Sequence, residues 1–264
     1  MKTEKTSYLS AKEFGAKGQD VIAGRNAVNE ALRAGRNIES LYVARGSKTG
    51  SLTALLAKAR EQGITIKEAD SRKLDFLCGN AHHQGVAAIA AIKEYAQLED
   101  IFTLAQQRAE PPFIILADEL EDPYNLGAIL RTAECTGAHG VIIPKRRAAG
   151  LTYAVGKASA GAVEYVPVVR VTNMASTVDL LKEKGVWIYS TDLQGDTWCT
   201  QDYCGALALV IGSEGSGVSR LIKQKADFTI TLPMLGKIGS LNASVACGVL
   251  CYEIARQRQR IKAK

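Results

Sequence analysis

From Phe113 to Arg258 this chain alternates short β-branched apolar runs with helical stretches. The pattern predicts strands at 113–117, 140–143, 165–170, 186–190, 206–211 and 228–232, and helices at 125–136, 173–184, 217–224 and 242–258. Runs such as Phe113-Ile-Ile-Leu-Ala and Leu207-Ala-Leu-Val-Ile show no polar alternation. They must be buried on both faces, as in a mainly parallel sheet covered by helices. Such a sheet collects ligands beyond the C-terminal ends of its strands, so the loops that follow the strands are where chemistry is to be sought.

At 264 residues the chain exceeds the usual single-domain size of ~100–150, and two domains are expected. Residues 1–20 mix Lys, Glu, Ser and Gly without periodicity and read as a flexible arm. From Val21, Gly24-Arg25-Asn26 leads into a helix with Ala27, Val28, Ala31 and Leu32 on one face. Strands at 40–43, 64–67 and 86–92 and helices at 52–61 and 71–77 complete a small α/β unit over 21–92. Residues 93–111 are charged, end at Pro111-Pro112 and read as a linker with a helical turn; the second domain is 112–264.

Apolar residues make up 47% of the chain and charged ones 23%, which excludes wholesale disorder. No apolar stretch approaches the ~20 residues of a membrane helix, and the N-terminus lacks a signal peptide's apolar core, so a cytoplasmic protein with no membrane partner is expected. The six cysteines form no C-x-x-C pair and only three histidines are present, which leaves a metal centre or a Ser-His-Asp mechanism poorly supplied. Cys247 and Cys251, four apart on a predicted helix, read as buried free thiols. The net charge is +6, and residues 1–92 hold 14 Lys and Arg against nine Asp and Glu. With five basic residues in 256–264, this fits a polyanion held by the periphery of the molecule. Arg25, Arg33, Arg36, Arg45 and Lys48 are the candidate phosphate contacts. A solvated basic surface is the alternative.

Three strand-to-loop-to-helix segments carry the chemistry. In Asp122-Pro-Tyr-Asn-Leu-Gly, Pro123 bars helix until Asn125 can cap it, and Arg131 follows among Ala128, Ile129, Leu130 and Ala133. An arginine there either pairs with Glu119, Glu121 or Glu134 or offers its planar fork to a phosphate. In Val210-Ile-Gly-Ser-Glu-Gly-Ser-Gly, three glycines let the main chain approach a ligand. Glu214 in that turn could cap a helix, hold an arginine or bind a ligand amine. Neither a Walker A loop nor the G-x-G-x-x-G fingerprint is present. In Leu232-Pro-Met-Leu-Gly-Lys-Ile-Gly-Ser-Leu-Asn, the strand breaks at Pro233, and Ser240 and Asn242 stand where the next helix needs its N-cap. Asn242 either only caps that helix or also serves the site.

In order and spacing, N-L-G-A-I-L-R-T-A, V-I-G-S-E-G-S-G-V-S and L-P-M…S-L-N-A-S-V-A…Y-E resemble the SpoU (TrmH-like) RNA ribose 2′-O-methyltransferases of the SPOUT superfamily. The resemblance spans Ile114 to Glu253. Residues 21–92, with G-R-N-A-V-N-E-A-L and H-Q-G-V-A, are similar to the small RNA-binding domain of the ribosomal-RNA branch. Leu232 and Ala243 depart mildly from the family pattern, and neither change removes a polar group. The resemblance implies an α/β domain closed by a deep trefoil knot, an exception to unknotted topology. It also implies S-adenosyl-L-methionine as cofactor and a homodimer with the knotted region at its interface. By motif position, Gly212, Leu232 and Leu241 would line the cofactor.

The activity so implied is 2′-O-methylation of a ribose in structured RNA, most readily 23S ribosomal RNA with guanosine favoured. By the resemblance Arg131 is placed at the target hydroxyl, with Asn125, Glu214, Ser240 and Asn242 as its supporting set. A guanidinium holds its proton above pH ~12, so Arg131 suits orienting the nucleotide and stabilising the forming alkoxide better than removing a proton. The alternatives are a transfer-RNA ribose methylase and a catalytically silent RNA-binding or ribosome-assembly protein on the same scaffold.

Overall fold

The computed structural model describes residues 19–46, 50–79, 82–91 and 93–261. They divide into two compact units, with the boundary between Glu94 and Tyr95. The flexible arm expected at the N-terminus lies outside the described residues, apart from 19 and 20, which begin a strand.

The first unit is a four-stranded sheet with helices. Its strands are β1 (Gln19–Ala23), β2 (Ile38–Ala44), β3 (Thr65–Ala69) and β4 (Val86–Ala91), in the order β1-β4-β2-β3. β4 runs antiparallel to both neighbours, and β2 and β3 run parallel. Helices α1 (Arg25–Arg33), α2 (Gly50–Glu61) and α3 (Ser71–Leu77) connect them. The apolar spacing read from the sequence is the buried face of α1, where Ala27, Val28, Ala31 and Leu32 join Leu41, Val43, Leu52 and Leu55 in one core. Asp70 caps α3 by accepting from the Lys73 amide at 2.8 Å.

The second unit is a six-stranded sheet in which every strand pair is parallel. Its strands are β5 (Phe113–Ala117), β6 (Gly140–Pro144), β7 (Val168–Val171), β8 (Trp187–Thr197), β9 (Leu207–Ile211) and β10 (Phe228–Thr231), in the order β10-β8-β9-β5-β6-β7. Its helices are α4 (Leu98–Gln107), α5 (Pro123–Thr136), α6 (Tyr153–Ala158), α7 (Met174–Glu183), α8 (Arg220–Lys225) and α9 (Ala243–Arg258). All five residues of β5 and of β9 are buried, as their unbroken apolar sequences require. Two cores result. One holds Ile115, Ile129, Leu130, Leu209, Cys247, Leu250 and Ile254, and the other holds Ile101, Ile114, Ile142, Val178, Ile188 and Val210.

Three local readings are corrected. Asp122, not Asn125, caps α5: its carboxylate accepts from the amides of Tyr124 at 3.0 Å and Asn125 at 3.3 Å. Pro123 starts the helix instead of delaying it, because its missing N–H and fixed φ suit the first helical position. The segment read as a linker contains α4, whose Ile101 is buried against Gly140; a Cβ on that glycine would lie 2.5 Å from the Ile101 side chain. Full burial of an isoleucine is worth ~1.5–3 kcal/mol, enough to dock a short polar helix. α6 and the long extension of β8 were also not expected from the sequence.

The basic C-terminal tip is partly spent on structure. Arg258 donates to the carbonyls of Pro111 (2.8 Å), Pro112 (3.1 Å), Tyr203 (3.2 Å) and Gly205, and lies over the Phe113 ring. Arg256 pairs with Glu253 at 2.8 Å. Among the described residues no helix is long and apolar enough to cross a membrane, and no group of three or more His, Cys, Asp or Glu could hold a metal ion.

Candidate active site

The second half of β8, the loops after β9 and β10 and the first half of α9 line a cavity of about 450 Å³. The sequence brings them there because all three strands are parallel and so end at one edge of the sheet. Gly212, Leu232 and Leu241, the three expected cofactor contacts, all line this cavity, as does Ser240. Gly212 is required by close packing within its own loop, since a Cβ there would lie 2.0 Å from the Gly217 carbonyl carbon. The cavity wall is otherwise largely apolar, with Ile211, Ile230, Ala243, Ala246 and Leu250.

Beside the cavity the structure joins three of the expected residues. Asn242 Nδ2 donates to Asn125 Oδ1 at 2.9 Å and to Glu214 Oε1 at 2.5 Å, and Asn125 Nδ2 donates to the same Glu214 oxygen at 2.8 Å. Asn125 is buried at 4% exposure, on the first turn of α5. Both readings of Asn242 hold together, because its Oδ1 also accepts from the amides of Ser244 (3.0 Å) and Val245 (3.2 Å) and so caps α9. One amide thus fixes the helix start with its oxygen and the neighbouring motifs with its nitrogen. The Glu214 loop is held from below as well: buried Asp118, at the end of β5, accepts from the Ser219 amide at 2.8 Å.

Arg131 and Ser240 lie outside this trio. Arg131 is exposed on α5, roughly 240° further round the helix from Asn125, and it neither lines the cavity nor forms an ion pair among the described residues. Glu119, one of its expected partners, pairs with Arg147 instead at 3.1 Å.

Sequence reasoning missed a charged pair in the cavity wall. Asp192, at the end of the regular part of β8, meets Lys223 of α8 at 2.5 Å, and that ammonium holds the Asp192 carboxyl below its usual range. The only available signal was the position of Asp192 in a strand end facing the ligand edge.

The expected phosphate contacts separate. Arg36 is withdrawn: its side chain is 8% exposed, pairs with Asp20 at 2.8 Å and donates to the Ala91 carbonyl. Arg33 pairs with Glu30 at 3.0 Å. Arg25 donates to the Gln84 carbonyl and the Ser51 hydroxyl. Arg45 is exposed, and Lys48 lies outside the described residues.

Residues 112–252 match the sequence model of the SpoU rRNA methylase family, and residues 21–96 match that of the RNA 2′-O ribose methyltransferase substrate-binding family. YacO of Bacillus subtilis, provisionally named a TrmH family tRNA/rRNA methyltransferase, is 49% identical over 243 residues, covering 92% of this chain and 97% of its own. A similarly named protein of Staphylococcus aureus (strain MSSA476) is 46% identical over 246 residues, covering 91% and 97%. The SpoU methyltransferase AviRb of Streptomyces viridochromogenes, solved in complex with AdoMet, has the same fold at a TM-score of 0.79 and 24% identity, over 97% of this chain and 96% of that one. The A. aeolicus TrmH/SpoU tRNA modifying enzyme matches 61% of this chain and 84% of its own at a TM-score of 0.53 and 29% identity. The fold is thus the α/β SPOUT class with an N-terminal substrate-binding domain, and the enzyme class is RNA ribose 2′-O-methyltransferase. The chain belongs to the SpoU methylase family.

Proposed function

We propose that this chain transfers a methyl group from S-adenosylmethionine to the 2′-hydroxyl of one ribose in 23S ribosomal RNA, with guanosine as the favoured nucleotide. The observation that carries the reading is the Asn125–Glu214–Asn242 trio at the rim of a cavity built from β8 and the loops after β9 and β10. The cavity fits the cofactor: its volume of about 450 Å³ lies in the range of small-molecule sites, its wall is mostly apolar, and the close-packed Gly212–Gly217 turn forms one side of it. Gly212, Leu232 and Leu241 would hold the cofactor. When bound, it supplies an electrophilic sulfonium methyl.

The remaining steps fall to the protein. The trio fixes the relative positions of the α5 start, the glycine loop and the α9 start, which would hold the target ribose beside the cavity. Ser240, exposed on the cavity wall, is placed to contact either reactant. Arg131 orients the target nucleotide and stabilises the alkoxide as it forms, the hydroxyl proton leaving to water. It stands on the exposed side of α5, next to the helix whose Val245, Val249 and Tyr252 are 52%, 42% and 60% exposed. That apolar stripe supports a homodimer, and the assembly would set what Arg131 faces. Sedimentation as a monomer at micromolar concentration would refute the dimer.

Transfer RNA is the second reading, supported by the dual naming of the curated relatives. The discriminating experiment offers unmodified 23S ribosomal RNA and unmodified bulk transfer RNA to the enzyme in competition. Preferential labelling of the ribosomal RNA is expected, and preferential labelling of transfer RNA would overturn the assignment. Failure of S-adenosylmethionine to bind in a calorimeter would overturn the methyl-transfer reading altogether.

A further inference from the structure

We infer that the loop Lys145-Arg146-Arg147, which follows β6, is the contact of the catalytic unit for the RNA backbone flanking the target ribose. The inference rests on the methyltransferase reading above and adds a surface to it.

Position carries the first part. Along the C-terminal edge of the sheet the loops follow the strand order β10-β8-β9-β5-β6-β7. The second half of β8 and the loops after β9 and β10 build the cofactor cavity, and the segments that follow β9, β5 and β10 supply Glu214, Asn125 and Asn242. The loop after β6 comes next in strand order, one strand beyond β5 and away from β8 and β10. A ribose placed at the trio has the methyl donor on one side and this loop on the other, where its own chain must continue. Adjacent strands stand only ~4.8 Å apart, which keeps the loop within one or two nucleotides of the target.

The loop is built to present charge. Its ends are pinned by main-chain bonds, Lys145 N to the Val171 carbonyl at 2.8 Å and Ala149 N to the Leu120 carbonyl at 2.8 Å. Arg147 holds a left-handed backbone with φ of 54°, a conformation that costs a non-glycine residue free energy. All three basic side chains are exposed. The adjoining turn Asp118 to Asp122 is acidic and is the obvious internal partner, yet it neutralises only one of the three. Glu119 takes Arg147, Asp118 is buried on the Ser219 amide, Asp122 caps α5, and exposed Glu121 forms no ion pair among the described residues. Lys145 and Arg146 have no side-chain partner among the described residues. Two adjacent, unpaired cations on a fixed loop beside a polyanion-modifying site match a phosphodiester backbone.

The test uses the full chain and in vitro-transcribed, unmodified 23S ribosomal RNA, titrated at several salt concentrations. Lys145→Ala/Arg146→Ala removes two exposed cations from the loop. Arg108→Ala/Lys184→Ala removes the same charge from the opposite end of the strands and serves as the control. The loop variant should bind RNA about tenfold more weakly, with the slope of log K against log salt reduced by roughly 1.5, while S-adenosylmethionine affinity stays unchanged. The control should retain most of its RNA affinity. Equal losses in both variants would reduce the effect to net charge and overturn the inference, as would no loss in the loop variant. Arg146→Glu, which only reverses an exposed charge, gives a second reading with a larger loss expected. Failure of the wild-type chain to bind RNA or accept a methyl donor would instead strike the underlying functional reading.

Discussion

Asn125 and Asn242, 117 residues apart in the chain, are bonded to each other at 2.9 Å and share one oxygen of Glu214. The bond ties the first of the three strand-to-loop-to-helix segments to the third, and the shared carboxylate brings in the second. Because Asn242 also caps α9, its two tasks can be separated by substitution. Asn242→Ser keeps an N-cap oxygen and loses the bridging nitrogen. The variant should melt within a few degrees of wild type and lose at least about tenfold in methyl transfer, a barrier increase of ~1.4 kcal/mol. A variant with full activity would show that only the cap matters.

Arg131 has a different signature. It lies outside the cavity wall, so Arg131→Ala should bind S-adenosylmethionine as the wild type does, while its turnover falls more than about tenfold. Calorimetry and a single-turnover assay on the same preparation decide it. Retention of more than a tenth of the rate would remove Arg131 from the reacting set.

Gly212→Ala should fail for a steric reason. The new Cβ would lie 2.0 Å from the Gly217 carbonyl carbon and 2.1 Å from the Val218 nitrogen, main-chain atoms that cannot rotate away. The loop must move, carrying Glu214 with it. Cofactor affinity should drop at least about tenfold with the fold retained, and a normal binding isotherm would contradict the close-packed loop.

His139 makes stability depend on pH. It is fully buried, and its Nδ1 accepts from the Phe113 amide at 2.9 Å, so the neutral ring carries its proton on Nε2, 3.2 Å from Glu110. Burial is the main cause that lowers its pKa; Arg108 and Arg258 act in the same direction, and Glu110 opposes them. The unfolded imidazole titrates near 6.5, so below that pH the unfolded chain binds the extra proton first. Stability from this site is complete above pH ~6.5 and is lost as the pH falls below it. Urea midpoints measured from pH 8 to 5 should decline in that window, and the decline should flatten in His139→Gln. An unchanged slope in the variant would assign the acid sensitivity elsewhere.

What was legible in the sequence was the part encoded locally. The parallel sheet followed from unbroken apolar strands, and Glu214 and Asn242 followed from motifs whose loops carry them. Helix α4 was not legible because its fully buried residues are only Ile101 and Ala105, set among polar residues. Arg36 read as a phosphate contact because its partner Asp20 sits in a strand whose start resembles the polar arm before it. Asp192 and Lys223 went unseen because they come from β8 and from α8, and only the tertiary fold makes them a pair. Lys145, Arg146 and Arg147 went unremarked in the sequence because three adjacent cations gain a meaning only from the strand order.

The atom that receives the methyl group can be read directly. The full chain is incubated with S-adenosylmethionine labelled in its methyl group and with unmodified 23S ribosomal RNA, and the product is hydrolysed in alkali. A 2′-O-methylated ribose blocks cleavage of the adjoining phosphodiester, so the label should survive in a single alkali-resistant dinucleotide. Label recovered only in mononucleotides, as a methylated base would give, or no label despite binding of both cofactor and RNA, would contradict the account.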